Sequence, residues 1–231
     1  MEIAYITDHH LYPYLLPSIM SYIEHNDIEK IYVIAESEIP YELPDICEVI
    51  VVNPADYFKT DGKNYNNRWT PFVLLKCVLS RILPIDKVLY VDVDTICTDN
   101  LDELWNTELK RVNLFDGDEQ TLYVAAVKEN HKIDYFNAGV MLLNLKAIRD
   151  DRADQWMINY INSKPLKCPD QDAFNDVARM RKTMLPIRYN ETDFTGETQE
   201  PAIVHYAAYS TWWEKHTPRY KFYEEYKQYQ R

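Results

Sequence analysis

The chain has 231 residues, 46% of them hydrophobic, and a formal net charge of −12 from 25 basic and 37 acidic side chains. That length can bury one large core, and the acidic balance argues against a general nucleic-acid binder, which needs a basic footprint. No run approaches the roughly 18 apolar residues of a membrane helix, and Met1 leads straight into a strand-like alternation instead of a secretion leader, so an intracellular protein is expected.

The first strand is expected at Glu2–Thr7, followed by a helix over Tyr12–Asn26 whose first turn tolerates Pro13. Strands at Lys30–Ala35 and Cys47–Val52 come next, at the spacing of β-α-β units. Asp61–Arg68 reads as a polar loop, and Pro71–Leu83 as a helix stopped by Pro84. An apolar strand opens at Val88. Further strands are expected at Leu122–Val127 and Val140–Leu145, the second fed by a turn at Asn137-Ala138-Gly139, with helices at Ala147–Asn162 and Asp170–Met180. The tail Arg219–Arg231 carries Tyr223, Tyr226 and Tyr229 at three-residue steps, a stripe expected to pack on its own domain. Strands alternating with helices argue for an α/β domain with a mostly parallel sheet.

The segment VLYVDVDTIC, Val88 to Cys97, ends its apolar run on two acids. Asp92 and Asp94 are two apart, so on a strand both point to one side, and ligands of α/β sheets bind outside the carboxyl ends of strands. Two like charges so close favour a cation between them, and carboxylate oxygens suit Mg²⁺ or Mn²⁺ bridging to a diphosphate. A plainer reading is that D-x-D opens a solvated turn. A third is the haloacid-dehalogenase phosphatase pattern, D-x-D-x-T, with Asp150-Asp151 as its later acidic motif; here the threonine, Thr95, comes one place early.

Other features narrow the choice. Cys47, Cys77, Cys97 and Cys168 form no C-x-x-C pair and read as reduced, buried thiols. Four glycines, Gly62, Gly117, Gly139 and Gly196, supply neither G-x-G-x-x-G nor a Walker A loop, so any phosphate is held by other means. CPDQDAFN, Cys168 to Asn175, crowds Asp170, Gln171 and Asp172 at a helix start, where acids are also ordinary first-turn residues. His205 follows a short apolar strand in AIVHYAAYSTWW, Ala202 to Trp213, and a lone histidine is more often packed than ligating. The sequon at Asn190 carries no weight without a secretion leader.

Taken in order, YITDHHLYPYLLPSIMSY at the start, VLYVDVDTIC, YFNAGVMLLNL at Tyr135–Leu145, PDQDAFN, and LPIRYN at Leu185–Asn190 resemble glycosyltransferase family 8, which includes glycogenin and bacterial lipopolysaccharide galactosyl- and glucosyltransferases. The likeness spans nearly the whole chain. It implies a single GT-A domain with a Rossmann-like sheet, a nucleotide-binding half at about 1–95, a donor-sugar and acceptor half at 96–210, and a C-terminal helical tail at 211–231. It implies retaining transfer of a hexose from UDP-glucose or UDP-galactose to a carbohydrate or glycolipid acceptor, with Mn²⁺, or else Mg²⁺, as cofactor. Asp92, Asp94 and His205 match the metal ligands of the family. Thr7, Asp8 and Tyr12 match the surroundings of uracil and ribose, Lys76 a cation directed at the donor, and Val93 the residue between the two acids. Asn137, Ala138 and Gly139 match the loop that touches the sugar, and Asp170 and Gln171 the catalytic pair beneath the anomeric carbon.

One stretch departs from the pattern. After its metal-binding histidine the family carries a Gly and then a Lys that grips a phosphate, where this chain has Ala208 and Thr211. A missing cation beside a diphosphate removes about 1.5–3 kcal/mol of charge-assisted hydrogen bonding, and raises the alternative of a catalytically weak nucleotide-sugar binder. Glu224 and Glu225 interrupt the basic charge that a membrane-attaching tail uses, so at most peripheral membrane association is expected.

Overall fold

The apolar runs Glu2–Thr7 (β1) and Lys30–Ala35 (β2) lie side by side as parallel strands, in register from Glu2 opposite Lys30 to Thr7 opposite Ala35. Both are buried from their second residue onward. They are continuous apolar runs because both sheet faces are covered. In this computed structural model, which describes residues 1–66, 68–112, 117–207 and 220–231, the remaining strands are β3 (Cys47–Val51), β4 (Lys87–Val91), β5 (Thr95–Cys97), β6 (Lys110–Val112), β7 (Glu119–Thr121), β8 (Val124–Lys128), β9 (Phe136–Asn144), β10 (Lys182–Leu185) and β11 (Ile203–His205). The helices are α1 (Tyr12–His25), α2 (Leu79–Ile82), α3 (Asp102–Trp105), α4 (Leu145–Asp150), α5 (Ala153–Ser163), α6 (Pro169–Val177) and α7 (Tyr220–Glu224).

Seven strands form the central sheet in the order β10-β8-β9-β4-β1-β2-β3. β1 to β4 run parallel to one another, as do β8 and β10, and β9 is antiparallel to both of its neighbours. The expected α/β architecture with a mixed, mostly parallel sheet is therefore present. One face packs α1, the β5–β11 ribbon and the tail, with Tyr5, Leu15, Ile19, Ile203 and Tyr223 in a shared core. The other packs Leu74, Leu75 and Leu79 together with α4 to α6, through Ile148, Met157 and Phe174.

Several boundaries differ from expectation. Pro71–Leu83 is not one helix: Pro71–Val78 winds as a 3₁₀ stretch, capped where Thr70 accepts the Phe72 N–H, and only Leu79–Ile82 is α-helical. The helix expected over Ala147–Asn162 is broken in two at Arg152, whose φ of 55° is left-handed. Asn137-Ala138-Gly139 is not a turn but the buried start of β9, and Asp92 N–H donating to Gly139 O at 2.8 Å continues the pairing beyond the end of β4.

The tail packs on its own domain, as its tyrosine spacing implied, although as one helical turn followed by a 3₁₀ turn at Lys227–Tyr229. Tyr223 is fully buried, and the Tyr226 hydroxyl lies 3.2 Å from His25 Nε2 on α1. All four cysteines are free thiols, with Cys77 and Cys97 buried. Among the described residues, no helix is long and apolar enough to cross a membrane.

Candidate active site

β4 stops at Val91, and Asp92, Val93 and Asp94 form the turn into β5. The two carboxylates thus converge through a turn, not through strand alternation. That turn is held from behind by buried hydroxyls. Thr95 Oγ1 donates to Asp92 O at 2.8 Å and accepts from Tyr22 OH at 3.1 Å, while Tyr5 packs edge-on against Tyr22. Thr95 itself is fully buried, so the residue that invited the phosphatase reading serves the turn. Asp150 and Asp151 lie toward the opposite end of the central strands, beyond Asn144, which pairs with Lys87 at the start of β4. There Asp150 pairs with Lys146 and Asp151 accepts from Tyr123 OH. Acids at opposite strand ends cannot serve one phosphoryl group, and the phosphatase reading falls.

β11 pairs antiparallel with β5, setting His205 opposite Thr95, and Tyr206 N–H donates to Asp94 O at 2.8 Å. His205 Nε2 consequently lies 3.3 Å from Asp94 Oδ1 and 3.8 Å from Asp92 Oδ2. One ligand atom from each of the three residues lies within 4.8 Å of the other two. The histidine is buried, whereas the acids keep 25% and 28% side-chain exposure, so the cluster opens to solvent on its carboxylate side. Two carboxylate oxygens and one imidazole nitrogen so placed suit a divalent cation.

Lys76, carried inward by the 3₁₀ stretch, is 2.9 Å from Asp92 Oδ1 and 3.0 Å from Asp170 Oδ2. Burial by itself lowers the pKa of such an ammonium, but Asp170 and Asp92 outweigh it and hold Lys76 well above the ordinary lysine value. Burial pushes the Asp92 carboxyl up, Lys76 draws it down and Asp94 pushes it up again, with a net rise above the usual aspartate value. Tyr90 OH also donates to Asp92.

The acids at the start of α6 divide their duties. Asp172 Oδ2 accepts the Lys167 and Cys168 N–H groups, each at 3.1 Å, and its Oδ1 accepts Tyr135 OH at 2.6 Å. Asp172 is therefore the residue that serves the helix start, and Asp170 is turned to Lys76. The Gln171 amide is pinned at both ends: Oε1 accepts Ala138 N–H at 2.9 Å, and Nε2 donates to Glu129 Oε1 at 2.8 Å.

Thr7 and Asp8 close β1 beside β4 and are buried, with Asp8 Oδ1 accepting His10 N–H at 3.1 Å. Tyr12 is tied elsewhere: its hydroxyl accepts Ser37 N–H at 3.0 Å and donates to Ser37 O at 3.1 Å, in the loop after β2. The Val93 side chain belongs to the core. Asn137, Ala138 and Gly139 on β9 come together with His205, Gln171 and Lys76. Ala208 and Thr211, with the rest of residues 208–219, lie outside the described residues. Sequence reasoning assigned no role to Tyr90, Glu129 or Asn190. Tyr90 sits only two residues before Asp92, a local signal that was available; Glu129 reaches Gln171 from 42 residues away and left none.

A profile of glycosyl transferase family 8 matches residues 5–217. A Haemophilus influenzae protein described as a glycosyltransferase is 26% identical over 215 residues, covering 83% of this chain and 63% of its own length. The lipopolysaccharide 1,2-glucosyltransferase of Escherichia coli K12 is 27% identical over 165 residues, covering 62% of this chain and 49% of its own length. The chain thus spans about half to two thirds of these curated relatives. Among solved structures, the galactosyltransferase LgtC in complex with donor and acceptor sugar analogues superimposes with a TM-score of 0.72 at 22% identity, over 99% of this chain and 95% of that one. That similarity establishes the GT-A fold.

Proposed function

The chain belongs to glycosyltransferase family 8, and from that premise we propose that it moves a glucosyl or galactosyl unit from a UDP-sugar to a carbohydrate or glycolipid hydroxyl, retaining the anomeric configuration. The observation that carries this reading is the convergence of Asp92, Asp94 and His205 within 4.8 Å at the carboxyl end of β4. A divalent ion bound there, Mn²⁺ foremost because of the imidazole, would act as a Lewis acid toward the charge that develops on the departing diphosphate. The lipopolysaccharide glucosyltransferase and the galactosyltransferase among the similar proteins support a hexose donor. Action in the cytoplasm, at most peripheral to a membrane, is part of the same proposal.

In this reading, Thr7 and Asp8 border the nucleoside from the end of β1, and Tyr12 contributes its ring, since its hydroxyl is engaged by Ser37. Asn137 Nδ2 and the backbone about Ala138 and Gly139 line the sugar. Lys76 holds Asp170 and Asp92 in fixed relation, so the carboxylate that accepts sugar hydroxyls and the one that faces the diphosphate are placed before the donor arrives. Gln171 presents its amide oxygen from a position set by Ala138 N–H, where it can stabilise positive charge at the anomeric carbon as the bond to UDP breaks. The test is a thermal-shift panel of UDP-glucose, UDP-galactose and other sugar nucleotides with and without Mn²⁺. A UDP-hexose should raise the melting temperature only when the ion is present; equal shifts without it would remove the metal assignment.

A further inference from the structure

His205 Nδ1 lies 2.9 Å from Asn190 Oδ1, and Asn190 Nδ2 lies 2.9 Å from Asn137 Oδ1. Asn137 Oδ1 also receives the Gly139 backbone N–H at 2.9 Å. The proton positions along this chain follow from its far end. A backbone N–H can only donate, so the Asn137 atom facing Gly139 is its carbonyl oxygen. The same oxygen faces Asn190, which must present its NH₂ group. Asn190 therefore turns its carbonyl oxygen to His205, and that oxygen can only accept. The hydrogen of the neutral ring sits on Nδ1, and the Nε2 lone pair is left facing Asp92 and Asp94.

We propose that Asn190 is a positioning residue that holds His205 in the Nδ1–H tautomer, with Asn137 and the Gly139 N–H fixing the orientation of the Asn190 amide. The proposal rests on the reading of Asp92, Asp94 and His205 as a divalent-cation site. The opposite tautomer has a clear attraction of its own, because an Nε2–H would point at Asp94 Oδ1, 3.3 Å away. That hydrogen would occupy the direction a cation needs. A fixed acceptor at Nδ1 works against it. Asn190, Asn137 and His205 are buried, at 0%, 7% and 3% exposure, so bulk water does not replace a lost partner. The same bonds engage both ends of the Asn190 amide, which removes the sequon from consideration as a glycan acceptor in the folded protein.

The test is ¹⁵N NMR of the metal-free protein labelled at histidine, recorded at alkaline pH, with the His205 signals assigned by their loss in His205→Ala. The wild type should show Nδ1 protonated and Nε2 bare. Asn137→Asp, which keeps an acceptor oxygen for both Gly139 and Asn190, should show the same. Asn190→Ala should move the hydrogen to Nε2, and its affinity for Mn²⁺ alone, measured by calorimetry, should fall about tenfold or more, the usual effect of removing a partner behind a metal ligand. If Asn190→Ala does not fold, the wild-type and Asn137→Asp spectra still decide. A wild-type ring protonated at Nε2, alone or together with Nδ1, overturns the proposal, as does an Asn190→Ala ring that stays Nδ1–H. A wild type with the Nδ1–H ring but no affinity for Mn²⁺ overturns instead the cation-site reading.

Discussion

Gly139 and His205 are in direct contact: a Cβ added at Gly139 would lie 2.1 Å from His205 Cε1, 2.7 Å from Nδ1 and 2.9 Å from Nε2. The imidazole fills the space where a strand side chain would otherwise stand. Gly139 is thus required by close approach and not by a turn, since β9 runs straight through it. Gly139→Ala should push the ring aside, destabilise the fold by about 1–3 kcal/mol through overpacking, and weaken Mn²⁺-dependent UDP binding. Thermal unfolding and calorimetric titration measure the two effects. An alanine variant with wild-type affinity for Mn²⁺ and UDP would show that ring position and ligand binding are independent.

Asp94→Asn is nearly isosteric and removes one of two adjacent negative charges. Mn²⁺-dependent UDP binding should disappear while the metal-free protein stays folded. Burial pushes the Asp94 carboxyl up but His205 holds it below the usual aspartate value. The variant loses that contribution, and relief of the repulsion that Asp94 exerts on Asp92 offsets part of the loss. Chelation of the wild type with EDTA should reproduce the loss of UDP binding. Undiminished binding by the variant would sink the ligand assignment.

Lys76→Met strands the buried Asp170 and the half-buried Asp92, and should destabilise the metal-free protein by about 3 kcal/mol. The sign with pH follows from the raised lysine pKa. Its stabilisation is fully present below the unfolded value of about 10.4 and is lost only as pH rises through the higher folded value. The difference between wild type and variant should therefore stay flat from about pH 6 to 9 and shrink on acidification as Asp92, whose carboxyl burial raises, protonates ahead of an ordinary aspartate. Urea unfolding across that range provides the measurement, and a difference that falls steadily between the two limits argues against this account.

Glu129 orients Gln171 without belonging to any motif. Glu129→Gln keeps an acceptor oxygen for Gln171 Nε2, and Glu129→Leu does not. The leucine variant should lose about ten- to a hundredfold in kcat, roughly 1.4–2.7 kcal/mol, with little change in KM for the donor, while the glutamine variant stays near wild type. A leucine variant whose only defect is a raised KM would make Glu129 a donor-binding residue instead.

Local patterning determined most of the sheet. Strands buried on both faces announce themselves as apolar runs, so β1, β2 and the approach to Asp92 were legible from five or six residues at a time, and D-x-D was visible because its polarity breaks such a run. The ambiguities were those where neighbours in sequence carry no information. Asp170 and Asp172 both suit a helix start, and only the placement of Lys76 against Asp170 Oδ2 separates the candidate site residue from the one that serves the helix start. His205 had the composition of a packed histidine. The pairing of β11 with β5 made it a candidate ligand by setting it opposite Thr95. Asn137-Ala138-Gly139 looked like a turn because Asn and Gly favour turns, yet the Asp92 N–H on Gly139 O makes it strand. Asn190 reaches Asn137 across 53 residues of chain. Side-chain periodicity records which face an element buries, whereas the partner on that face is chosen by the packing of elements far apart in sequence. The chemistry of this site lives in those pairings.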